Sequence, residues 1–135
     1  MYEYYVYSLD KVVDGDTIDV TIDLGFDIRY SSRVRLAGID TPESRTRDLE
    51  EKALGLEAKE YLKKRLKDAK RIVVKTEKLD STGKYGRILG WLFLDDETNS
   101  VNNQMIMQGY AWEYGGDTKN KDFAALKKAR EDFNA

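Results

Sequence analysis

From Thr17 to Leu24 the chain alternates polar and apolar residues with period two (Thr-Ile-Asp-Val-Thr-Ile-Asp-Leu). This pattern predicts a strand with one buried face, and Gly25 ends it. Residues 2–7 are aromatic and β-branched, and Lys11–Val13 lead into an Asp-Gly-Asp turn, so a strand is expected before it. A third strand is expected within Ile28–Ile39, with Val34 and Leu36 on one face and Arg33 and Arg35 on the other. Three strands joined by tight turns make an antiparallel meander.

Between Arg47 and Ala69 the period lengthens. Leu49, Ala53, Leu56, Glu60, Tyr61, Lys64 and Lys67 fall at spacings that set an apolar stripe beside a charged one, which predicts a helix of several turns. Ile72–Thr76 and Ile88–Leu94 read as strands, Gly83–Arg87 as a loop, and Asp95-Asp96 as a turn. Val101–Gln108 suits a short helix closed by Gly109. Phe123, Leu126, Ala129, Arg130 and Phe133 give an amphipathic C-terminal helix. The periodicities alone define a small α+β domain, one unit over residues 1–135, with no repeat or linker.

Composition narrows the chemistry. The chain has 135 residues and contains neither cysteine nor histidine. Disulfides, thiolate or imidazole metal sites, cysteine nucleophiles and histidine bases are therefore excluded. A metal would have to be held by oxygen, which points to calcium, magnesium or manganese. A general base would have to be a carboxylate, a lysine or a tyrosine. No stretch approaches the roughly 18–20 apolar residues of a membrane span, and the N-terminus does not look like a secretory signal. No membrane partner and a cytoplasmic location are expected.

The net charge is −2, but the charges are segregated. Residues 1–32 carry Glu3, Asp10, Asp14, Asp16, Asp19, Asp23 and Asp27 against Lys11 and Arg29, whereas Lys and Arg dominate residues 45–75. Either region can be an ordinary solvated face; equally, one end can hold a cation and the other attract a polyanion.

Three segments bear candidate chemistry. In Val13-Asp14-Gly15-Asp16-Thr17, Gly15 bends the chain so that Asp16 can aim a carboxylate at a cation, with Asp14 in support, although Asp-Gly-Asp is also an ordinary turn. In Arg35-Leu-Ala-Gly-Ile-Asp40-Thr41-Pro42-Glu43, the one proline of the chain stiffens a corner. That corner could direct Asp40 and a backbone carbonyl at one metal and leave Glu43 further out, suited to holding water; a capped helix start is the plainer alternative. In Lys84-Tyr85-Gly86-Arg87, a loop with glycines on both sides offers Arg87 as a bidentate phosphate donor.

In this order and spacing, the three segments closely resemble the staphylococcal nuclease (thermonuclease) family. The likeness runs from about Lys11 to Tyr114 and includes the helix around Gly55–Leu66 and the Val101-Asn102…Gln108-Gly109 segment. It implies a mainly β, α+β fold: a five-stranded Greek-key barrel of the oligonucleotide/oligosaccharide-binding type with about three helices. It also implies one calcium ion on Asp16, Asp40 and the Thr41 carbonyl. Glu43 would orient or deprotonate the attacking water, and Arg35 and Arg87 would grip the scissile phosphate. Lys84 and Tyr85 would contact a neighbouring phosphate or the nucleotide. The expected activity is hydrolysis of DNA and RNA, single-stranded or frayed, to 3′-phosphates by a monomer.

The sequence departs from the family pattern after Gly109, where it reads Tyr110-Ala-Trp112-Glu-Tyr114. Tyr114 is the best match for a base-stacking residue, while Trp112 is open to a core role. Two competing functions remain: a catalytically silent binding barrel, and a structural calcium-binding barrel. The first would be expected to have lost at least one site residue, and the second leaves Arg35 and Arg87 unexplained.

Overall fold

A computed structural model describes residues 2–76, 82–83, 87–115 and 121–135, with backbone alone for residues 82, 83 and 87. In chain order the elements are β1 (Tyr2–Asp14), β2 (Thr17–Gly25), β3 (Ile28–Leu36), β4 (Ile39–Asp40), α1 (Leu49–Asp68), β5 (Ile72–Thr76), β6 (Thr82–Gly83), β7 (Arg87–Leu94), α2 (Val101–Met107), β8 (Trp112–Glu113) and α3 (Phe123–Asn134).

The expected meander is present: β1 pairs antiparallel with β2, and β2 with β3. The β2–β3 turn places Phe26 and Asp27 at φ 55° and 62°, the left-handed pair that matches hairpin twist. Strand β1 is long because it serves two neighbours. Tyr2–Tyr5 pair with β5, and Tyr5–Asp14 with β2. Register shifts between Val6 and Ser8, Leu9 and Lys11, and Val12 and Asp14 let it coil around the barrel.

Strand β7 then pairs antiparallel with β5 and parallel with β3, through Val34↔Ile88, Arg35↔Leu89 and Leu36↔Gly90. This last pairing closes β1, β2, β3, β7 and β5 into a five-stranded mixed barrel. Its strands neighbour one another in the order first, second, third, fifth, fourth, as the oligonucleotide/oligosaccharide-binding architecture requires.

Alternation fills the barrel as expected. Ile18, Val20, Ile22, Val34, Leu36, Val74, Leu92 and Leu94 point inward and are buried. Asn102 on α2 fastens the seam. It is buried, donates to the carbonyls of Ala37 and Gly90 at 2.8 and 3.0 Å, and accepts from the Leu92 N–H at 3.0 Å.

Helix α1 lies against β1. Asp48 caps it by accepting from the N–H groups of Glu50 and Glu51 at 3.1 and 3.2 Å. The helix is in the expected place, but its buried stripe is not. Leu49 and Leu56 are exposed at 79% and 43%, and Ala53 faces solvent as well. The buried face is Leu54, Gly55, Ala58, Leu62 and Leu66. Two apolar stripes compete on this helix, and the one containing two small residues wins because it permits close backbone approach. Gly109 sits at φ 80° just beyond α2, as expected of a helix-ending glycine. Among the described residues, no helix is long and apolar enough to cross a membrane.

Candidate active site

The β1–β2 turn sits directly on α1. A Cβ added at Gly15 would lie 2.8 Å from the Ala58 Cβ and 3.1 Å from the Thr41 Oγ1, so the turn tolerates no side chain there. This seat fixes Asp16. Its Oδ1 accepts from the Thr17 hydroxyl at 2.8 Å, and its Oδ2 accepts a long 3.4 Å bond from the Thr41 N–H.

Arg35 projects from the outer face of β3, where alternation places it between inward Val34 and Leu36. Its Nη1 stands 3.3 Å from Asp16 Oδ2, its Nη2 3.6 Å from Asp40 Oδ1, and its side chain is 12% exposed. A planar fork can face two carboxylates through separate nitrogens, which an ammonium cannot do. Asp40 is held by the short ladder between β4 and β8, Asp40 opposite Trp112, and is buried.

Beyond Asp40 the chain turns sharply. Thr41, Pro42 and Ser44 are buried, while Glu43 remains exposed. The Ser44 hydroxyl donates to Asp14 Oδ1 at 2.5 Å, tying the corner to the β1–β2 turn. Helix α1 supports the corner from the other side: a Cβ at Gly55 would lie 2.6 Å from the Glu43 carbonyl and 2.7 Å from that of Pro42.

Asp14, Asp16, Thr17, Arg35, Asp40, Thr41, Pro42 and Glu43 line one polar cavity of about 160 Å³. The first and second sequence segments thus meet in space. Lys84 and Tyr85 lie outside the described residues, and so does the side chain of Arg87. The backbone of residue 87 begins β7, two positions before Leu89, the partner of Arg35. Trp112 is buried, with its indole N–H bonded to the Asp122 carbonyl at 2.9 Å, so it takes the core role. Tyr114 is half-buried, and its backbone N–H donates to the Gly38 carbonyl at 2.9 Å.

The donor set suits a hard cation. The cavity lining carries four carboxylates against one described guanidinium, all its ligating groups are oxygen, and two of the carboxylates converge on Arg35. Among the described residues no three carboxylates are gathered closely enough to hold a metal by themselves. A bound ion would therefore need backbone carbonyl, water or substrate oxygens to complete its shell.

Two groups with shifted pKa values flank the site on β2 and β3. Asp19 lies below the usual carboxylate value, chiefly through its hydrogen bonds from Arg33 at 2.8 and 3.1 Å. Arg33 is raised by the same bonds. They stiffen the hairpin without entering the cavity.

Glu51 was not among the candidates from sequence. It is buried, and its Oε2 accepts the Glu43 N–H at 3.1 Å. The signal was present in Asp48-Leu-Glu-Glu51, a capping-box spacing.

Residues 33–133 match the family model described as staphylococcal nuclease homologue. The chain belongs to this family. A thermonuclease of Staphylococcus intermedius is 38% identical over 96 residues, covering 70% of this chain and 52% of that one. A micrococcal nuclease of Shigella flexneri is 32% identical over 130 residues, 89% of this chain and 66% of its own. An uncharacterized protein of Methanocaldococcus jannaschii is 30% identical over 139 residues, 90% of this chain and 65% of its own. The chain thus spans between half and two thirds of these relatives' lengths. Family membership agrees with the barrel, and the matched span includes Arg35, Asp40 and Glu43.

Proposed function

We propose that the chain is a nuclease hydrolysing phosphodiester bonds of DNA and RNA, preferentially single-stranded or frayed, to leave 3′-phosphates. The observation that carries the reading is Arg35, held between Asp16 and Asp40 over a polar cavity whose rim bears the exposed Glu43. A cation and an exposed carboxylate lining one cavity, in a family with relatives named nucleases, suit in-line attack of water on phosphorus.

In this reading Glu43 takes a proton from, or orients, the attacking water. Arg35 donates to the phosphoryl oxygens where negative charge grows, and Arg87 does the same from β7. The bond between phosphorus and the 5′-oxygen breaks. Asp16, Asp40 and the Thr41 carbonyl would hold one calcium ion, which supplies Lewis-acid stabilisation of phosphate charge when bound. Lys84, Tyr85 and Tyr114 would hold the neighbouring phosphate and a base.

Incubation with single-stranded DNA and with RNA, in calcium and then in chelator, tests this. Calcium-dependent cleavage to 3′-phosphates is expected, lowered about 10²-fold or more in Glu43→Gln and Arg87→Ala. Nucleic-acid binding that survives chelation, with no cleavage by the folded protein, would instead establish a silent binding barrel.

A further inference from the structure

We propose that Glu51 is a positioning residue for Glu43, with its charge balanced by Lys121. The proposal rests on the reading of Glu43 as the residue that handles the attacking water. It starts from an irregular helix cap. Asp48 is the N-cap of α1, which makes Glu51 the third helical residue. A glutamate there ordinarily reaches back to the N-cap N–H. Here that N–H donates to the Thr46 hydroxyl at 3.3 Å, and Glu51 is diverted to the backbone N–H of Glu43.

The diversion is costly unless it does something. Glu51 is 4% exposed, and a carboxylate so buried needs both a donor and a countercharge. Glu43 N–H is the donor. Lys121, whose Nζ lies 3.2 Å from Oε2 and 3.4 Å from Oε1, is the countercharge. Lys121 precedes Asp122, the N-cap of α3, so the α3 lead-in supplies the balancing charge.

The result is a two-sided hold on the backbone of one residue. Glu51 takes its N–H, while the missing Cβ of Gly55 lets α1 press against its carbonyl. The Glu43 side chain stays exposed to the cavity while its backbone is pinned. An exposed glutamate on an unpinned corner would sample many positions. Misplacement by about 1 Å can cost on the order of 10²-fold in rate.

The test measures kcat and KM on single-stranded DNA for the full chain and for Glu51→Ala, Glu51→Gln, Glu43→Gln and Glu51→Ala/Glu43→Gln, each verified as folded. Glu51→Ala is expected to lower kcat by about tenfold or more with little change in KM. Glu51→Gln, whose amide oxygen can still accept the Glu43 N–H, should recover most of that loss. In the Glu43→Gln background, Glu51→Ala should cost little more, because residues acting through one group are non-additive. Amide exchange at Glu43 should accelerate in Glu51→Ala and remain slow in Glu51→Gln. Wild-type kcat in Glu51→Ala, or fully multiplicative losses in the double variant, overturns the proposal while leaving the nuclease reading intact. Full activity in Glu43→Gln overturns the reading itself and the proposal with it.

Discussion

Arg35 shows how much one side chain can be asked to do. Its guanidinium faces Asp16 and Asp40 through different nitrogens, in a cavity open to a phosphate. Arg35→Lys keeps the charge and loses the fork. On the proposed function, kcat on single-stranded DNA should fall by about 10²-fold, while circular dichroism stays that of the native barrel. A second residue-scale consequence lies away from the cavity. Tyr61 stacks on Tyr110 at 4.4 Å, and burial raises its phenol above its ordinary value, with Arg65 opposing. The fold therefore favours the neutral phenol. Its contribution to stability is complete below about pH 10, where the unfolded phenol ionises, and is lost as pH rises through the folded value. Urea unfolding across alkaline pH should show stability falling less steeply in Tyr61→Phe than in the wild type.

At the scale of elements, α1 offers the clearest contrast. Leu62 is fully buried and Leu56 is 43% exposed, although both fit a helical apolar pattern. Leu62→Ala should cost about 2–5 kcal/mol, and Leu56→Ala should stay within about 0.5 kcal/mol, in denaturant unfolding. This contrast also marks where the sequence ceases to be legible. The strands were legible because each buries one face, so period two records burial directly. For α1 the period was right and the phase wrong. Leu49, Ala53 and Leu56 satisfy helical spacing as well as Leu54, Ala58 and Leu62 do. What chooses between them is a tertiary fact, the approach of two loops to Gly55 and Ala58. The site divides similarly. Asp16, Arg35, Asp40 and Glu43 could be named because their spacing is distinctive in one dimension. Glu51 escaped notice because its partner is a backbone N–H eight residues upstream, outside the local geometry that sequence patterns describe.

For the whole molecule, the parallel seam between β3 and β7 decides whether the barrel exists at all. Asn102 holds it from α2 through three hydrogen bonds. Asn102→Ala would leave the Leu92 N–H and the Ala37 carbonyl buried without that partner. Each such loss costs about 1–3 kcal/mol, so stability should drop by at least about 2 kcal/mol in urea unfolding. Because the seam carries Arg35 opposite Leu89, the same variant should lose activity at temperatures where it is still folded. The two close approaches on α1 act at this scale as well. Gly15 rests on Ala58, and Gly55 rests under Glu43, so one rigid rod gauges the height of both loops. If that rod slides or tilts, Glu43 travels with it, while Asp16 stays with Arg35 on the barrel wall, because its carbonyl accepts the Leu36 N–H at 2.8 Å and Thr17 pairs with Arg35. The site is therefore two mechanical bodies, a barrel-borne pair of Asp16 and Arg35 and a helix-borne Glu43, and the tolerance that matters is the clearance between them.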